Sequence, residues 1–115
     1  MKTTKIKLKG KVIDAEVCES ILSQARGLMF KKNSKPLLFV FKTARRRAIH
    51  SFFCIPFVAV WFNGDKIIDV KQVFSWKFSV KPREKFDRLL EIPSNNRSYL
   101  MFTDGTERFK KKKHL

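Results

Sequence analysis

The chain has 115 residues, and 26 Lys and Arg against 10 Asp and Glu give it a formal charge of +16. Hydrophobic residues make up 43% of it, with twelve Phe and two Trp, so it can bury the core of one domain, which excludes wholesale disorder. The longest apolar stretch, residues 49–62, is broken by His50, Ser51 and Pro56 and is too short to span a bilayer. Two cysteines, Cys18 and Cys54, exclude a disulfide framework, and no apolar leader follows Met1, so a reduced, cytoplasmic protein is expected.

The first segment alternates Ile6 and Leu8 with Lys5, Lys7 and Lys9, the period of two of a strand with one buried face. Gly10 interrupts it, and residues 12–17 resume as the second arm of a hairpin. Ile21, Ala25, Leu28 and Met29 then recur at helix-face spacing, with Ser20 placed as a cap, which predicts one short helix. Pro36 introduces the apolar strand Leu37–Phe41, followed by a basic loop with Arg45, Arg46 and Arg47. Residues 49–54 and 57–62 read as two strands, or as one strand bent at Pro56. Asn63-Gly64 is the strongest turn signal, because a type I′ turn needs positive φ at both central positions. It predicts antiparallel pairing of residues 58–62 with 66–70. Trp76, Phe78 and Val80 alternate with Lys77, Ser79 and Lys81 as a further strand, and residues 86–92 form the next, ending at Pro93. Tyr99–Phe102 is apolar, Asp104-Gly105 is a second turn signal, and residues 110–115 have nothing to pack and form a basic tail. The expectation is a mostly β fold, a small antiparallel β-barrel with one short α-helix, as a single domain over residues 1–109 followed by the tail.

The string Ala25-Arg26-Gly27-Leu28-Met29-Phe30 is followed by Leu38-Phe39-Val40-Phe41, then Ile49-His50, Phe52-Phe53, Pro56, Asn63-Gly64, Trp76-Lys77-Phe78 and Leu90-Glu91-Ile92-Pro93. In that order, over residues 12–93, the chain resembles the family known as domain of unknown function 192, in its archaeal-type branch. The resemblance implies a compact β-barrel with a small helix and says little about activity. The chain departs from the family pattern where Val58 stands in place of an acid near Pro56, and where Ser94-Asn95-Asn96-Arg97 replaces a small-Gly-Thr continuation.

Positive charge is the strongest functional signal. Residues 1–11, 31–47 and 108–113 hold 17 of the 26 basic residues and no acid. Clustered cations on a folded core are the footprint of polyanion binding, driven by counterion release from phosphates. The expected contacts are Lys5, Lys7, Lys9 and Lys11; Lys31, Lys32 and Lys35; Arg45, Arg46 and Arg47, whose planar forks match phosphate oxygens; Lys77 and Lys81; and Lys110, Lys111, Lys112 and Lys113 in the tail. Trp76 and Phe78 beside Lys77 could stack on unpaired bases, although alternating aromatics in a strand are more often core. Phe52, Phe53, Phe57, Trp61 and Phe62 read as core or lining.

No acid stands near His50 and Ser51 to orient a nucleophile, and Cys18, Cys54 and His50 lack zinc-ligand spacing. Glu91 reads as a partner for Arg26 before it reads as a site carboxylate. A non-catalytic RNA-binding protein is expected, associated with the ribosome through rRNA phosphates, without cofactor, metal or membrane partner. The alternative is a small-ligand barrel, or an enzyme, with a pocket lined by Phe52, Phe57, Trp61 and His50.

Overall fold

The computed structural model describes residues 2–19, 27, 29 and 35–102. The predicted helix face at residues 20–30, the turn at Asp104-Gly105 and the tail lie outside them, apart from Gly27 and Met29. The chain is mostly β. Six strands, β1 (Thr3–Leu8), β2 (Lys11–Cys18), β3 (Leu37–Arg45), β4 (Phe57–Asn63), β5 (Lys66–Val73) and β6 (Phe86–Pro93), form one sheet in the order β1-β2-β3-β6-β4-β5. All pairs are antiparallel except β2–β3, which is parallel, and the sheet is barrel-like without closing into a barrel.

The three central strands explain the apolar runs in the sequence. In β3, β6 and β4 successive residues face opposite sides of the sheet, and both sides are buried. Leu37, Phe39, Phe57, Ala59, Trp61 and Leu89 pack on one side, with Cys18, Cys54 and Phe86. Leu38, Val58, Val60, Phe62, Leu90 and Ile92 pack on the other, with Leu8, Ile13 and Ala15 of the first hairpin. In a flat sheet β1 would lie about 19 Å from β4, four strand spacings away. Leu8 and Phe62 share one cluster because the sheet curls until the β1–β2 hairpin covers the second face. A 3-10 turn at Arg97–Tyr99, capped by the Asn96 side chain accepting from Ser98 N at 2.9 Å, adds Tyr99 to that cover.

The hairpin at Gly10 forms as expected: Leu8 pairs with Lys11, and Lys9 and Gly10 both have positive φ, +50° and +76°. The β4–β5 hairpin also forms, but its turn is displaced by one residue. Asn63 pairs with Lys66, so the central residues are Gly64 and Asp65, and only Gly64 has positive φ, +62°. Glycine at the first central position is the type II′ pattern rather than type I′. A bulge beside Phe62 restores the register: Trp61 pairs with Asp69 and Phe62 with Ile67.

Two expected strands are absent. Residues 49–54 and 76–80 share one β-bridge, Ile49–Val80, and otherwise run as loops. Phe53 and Trp76 take positive φ, +57° and +66°, which ends any ladder there. Arg45, expected in a loop, closes β3 opposite Phe86, across an irregularity that begins after Val40.

Replacing Gly64 by Ala should destabilise the fold by about 1 kcal/mol or more, because a Cβ is strained at that φ. Asn63→Ala, which keeps an extended backbone, should cost clearly less. Chemical denaturation of both variants checks the displaced turn.

Candidate functional site

The loops over residues 46–54 and 74–82 are joined through one buried hydroxyl. Ser51 is fully buried; its Oγ donates to Phe74 O at 2.6 Å and accepts from Lys77 N at 2.7 Å. Its backbone N–H donates to Lys77 O at 3.0 Å, and its carbonyl accepts from Trp76 N at 3.0 Å. Ser75 Oγ donates to Cys54 O at 2.7 Å. The second loop is also tied to β5: Lys71 Nζ donates to Lys81 O at 2.6 Å, and the buried Asp69 carboxylate accepts from Arg83 N at 2.9 Å.

With Ser51 turned inward, its aromatic neighbours turn out. Phe53, Phe74, Trp76 and Phe78 are 49%, 54%, 56% and 83% exposed. They are not scattered. Phe53 meets Trp76 edge-on at 4.8 Å between centroids, Phe52 meets Phe78 at 5.2 Å and Trp76 at 6.0 Å, and His50 stacks on Phe52 at 5.0 Å. Core positions were expected for Phe52, Phe53, Trp76 and Phe78; Phe53, Trp76 and Phe78 are on the surface and Phe52 is half-buried among them. The two positive-φ aromatics carry backbone strain of about 1–3 kcal/mol each, which the Ser51 hydrogen bonds hold in place. Phe57, Trp61 and Phe62 are core, as expected.

The basic residues divide into two groups. Lys77 and Lys81 are exposed on the loop that carries Trp76 and Phe78. Arg46 Nε donates to Pro82 O at 2.8 Å, tying the same two loops together. Arg47 lies 4.2 Å over the Phe41 ring and bonds Thr43 O, so it is partly structural, and burial together with Arg45 lowers its pKa. The second group belongs to the β1–β2 hairpin. Lys5 pairs with Asp14 at 2.7 Å and holds that carboxyl below its ordinary value. Lys9 donates to Met101 O and lies over Phe102. Lys7 and Lys11 are exposed, as is Lys35 ahead of β3. Lys31, Lys32 and Lys110–Lys113 lie outside the described residues.

Among the described residues His50 and Ser51 are not paired with each other. His50 Nδ1 accepts from Phe52 N, while Ser51 spends its hydroxyl in the loop network, so the pair faces opposite ways. The Cys54 thiol donates to Phe52 O at 3.3 Å and is pushed up to about 11 by burial first and the Glu91 charge second, the reverse of an activated nucleophile. Glu91 sits on the face of the Trp61 cluster, between Leu37 and Ala59 of the neighbouring strands, where burial pushes its carboxyl up to about 8. Among the described residues no cluster of three or more His, Cys, Asp or Glu is placed to hold a metal ion. Nor does any helix there have the length and apolarity to cross a membrane. Among the described residues the alternative pocket is not assembled as expected, because Phe57 and Trp61 are fully buried while Phe52 belongs to the surface cluster.

A curled, open β-sheet with one face covered by its own hairpin and the other by loops defines a recognisable structural class. Residues 3–107 match the DUF192 family, described as "Uncharacterized ACR", and the chain belongs to that family. It is 27% identical over 84 residues to the UPF0127 protein PH1112 of Pyrococcus horikoshii, covering 70% of this chain and 72% of that protein. Two solved structures share the fold. A protein from Sinorhizobium meliloti, named as a candidate transcription regulator, matches with a TM-score of 0.69 at 17% identity over 86% of this chain and 81% of its own. A protein of unknown function from Novosphingobium aromaticivorans matches with a TM-score of 0.70 at 14% identity over 88% and 79%.

Glu91 gives a pH signature. Its folded pKa stands above its unfolded value, so its contribution to stability is complete below about pH 4.5 and is lost as pH rises toward about 8. Glu91→Gln should therefore match the parent chain at pH 4.5 and exceed it in stability at pH 8, by up to about 4 kcal/mol. Thermal unfolding across that range is the check.

Proposed function

We propose that the chain is a non-catalytic RNA-binding protein that associates with ribosomal particles and holds unpaired bases on the ring cluster of Phe53, Trp76 and Phe78. The observation that carries this reading is the exposure of those rings on loops pinned by Ser51, beside the exposed Lys77 and Lys81. Exposed bulky aromatics cost hydration free energy, and the positive φ at Phe53 and Trp76 adds strain. Evolution keeps such features where a ligand covers them. A base offers a flat apolar face to a ring, and its phosphate offers an anion to the adjacent lysine, so a single strand satisfies both halves of the surface. Duplex RNA hides its base faces and would use the lysines alone.

Binding of a fluorescein-labelled oligouridylate, followed by anisotropy over a range of salt, separates the two contributions. Trp76→Ala and Phe78→Ala should each weaken the single strand by about 5–100-fold and leave the salt slope unchanged. Lys77→Gln with Lys81→Gln should reduce the slope by about 1.4. Ring variants that bind as tightly as the parent would remove stacking, and absence of binding at low salt would remove the RNA reading. Co-sedimentation with ribosomal particles, lost after nuclease treatment, checks the proposed partner.

A further inference from the structure

Curling without closure leaves a concave site, distinct in character from the exposed ring cluster. The two edge strands of the sheet are β1 and β5, and β1 faces the β4–β5 turn across a groove of about 540 Å³. That volume lies within the usual range for small-molecule sites and is far too small for a folded nucleic acid. Leu8, Leu38 and Phe62 line it from the core, and the half-buried Ile6 and the 44% exposed Ile67 line it nearer the surface. The lining is aliphatic apart from one ring, so it offers contact to a chain rather than a stack to a base.

Charge around the groove is one-sided. Lys5, Lys7, Lys9 and Arg88 line it against a single acid, Asp65. Lys5 and Lys9 are engaged, with Asp14 and with Met101 O, and Lys7, between Ile6 and Leu8, leaves from the outer face of β1, but the Arg88 side chain makes no ion pair or hydrogen bond among the described residues. Arg88 pairs in register with Phe62 and Val40 and sits two residues before Leu90, which places it on the same inner face as the apolar lining. An arginine left without a partner at the end of an apolar trough is a fitting for a carboxylate or phosphate oxygen pair.

We infer that the groove between β1 and the β4–β5 turn binds a single-chain amphiphile with an anionic head, the alkyl tail lying along Leu8, Leu38 and Phe62 and the head met by Arg88. An aliphatic carboxylate is the simplest such ligand. A neutral alcohol of equal chain length lacks the charge, and a short hydrophilic anion lacks the tail, so both halves of the site are needed.

Titration calorimetry with decanoate, kept below its micelle-forming concentration in low salt, tests this, with decanol as the neutral control. Decanoate should bind saturably at one equivalent, and decanol about tenfold more weakly. Arg88→Gln should weaken decanoate about tenfold, and Ile67→Trp, which places a bulky ring in the groove from an exposed position, should abolish it. Thermal unfolding verifies that both variants fold, and Arg88→Gln alone still tests the head-group contact if Ile67→Trp does not. Equal binding of decanol, or uptake of several equivalents untouched by both substitutions, would overturn the assignment. Oligouridylate affinity should stay unchanged in Ile67→Trp, so this site and the ring cluster stand or fall separately.

Discussion

Everything in this molecule follows from three strands that must be shielded from water on both faces. β3, β6 and β4 carry apolar side chains on either side of the sheet, and their only neighbours in the sheet are β2 and β5. A small chain must supply both covers itself. One face is covered by curling, which brings the β1–β2 hairpin and Tyr99 over Val58, Val60 and Leu90. The other receives Ile49, Cys54 and Val80 from the loops, together with Met29. The fold's two concave or sticky features are by-products of these solutions: a groove where the curl stops short of closure, and rings displaced outward where the loops turn inward.

Ser51 shows how a loop cover can be held without a ladder. Its hydroxyl and backbone groups meet four partners on the opposite loop: Phe74 O, Trp76 N, and both the N–H and the carbonyl of Lys77. Each is a modest interaction, about 1 kcal/mol net, but losing the hydroxyl would leave buried partners unpaired, which costs more. That asymmetry lets the loops carry Phe53 and Trp76 in strained backbone conformations while presenting their rings to solvent. The same pinning would reduce the entropy lost on binding the proposed single strand.

The charge of +16 is not uniform in role. Arg46 ties the chain after β3 to the second loop through Pro82 O, and Arg47 lies over the Phe41 and Phe86 rings, so they belong partly to the fold. Lys77, Lys81, Lys7 and Arg88 remain directed at solvent or at the groove. Self-repulsion among so many cations is tolerable where a bound anion neutralises them in use. Glu91 adds a contrary note, an acid kept largely protonated near neutral pH by burial beneath the same sheet.

Local pattern in the sequence determined much of the architecture. Alternating Lys and apolar residues mark β1, unbroken apolar runs mark β3 and β4, and glycines mark both hairpins, because periodicity and φ preference act over a few residues. It also located the charge, in residues 1–11, 31–47 and 108–113, and the family likeness over residues 12–93. Tertiary structure alone decided the rest. Whether Trp76 and Phe78 face in or out depends on Ser51, 25 and 27 residues away, which claims the inward position first. The turn shifted from Asn63-Gly64 to Gly64-Asp65 because pairing along all of β4 and β5 fixes the register, not the two turn residues. The groove exists because a sheet's curvature is a property of all six strands packed together, and no single stretch of sequence encodes it.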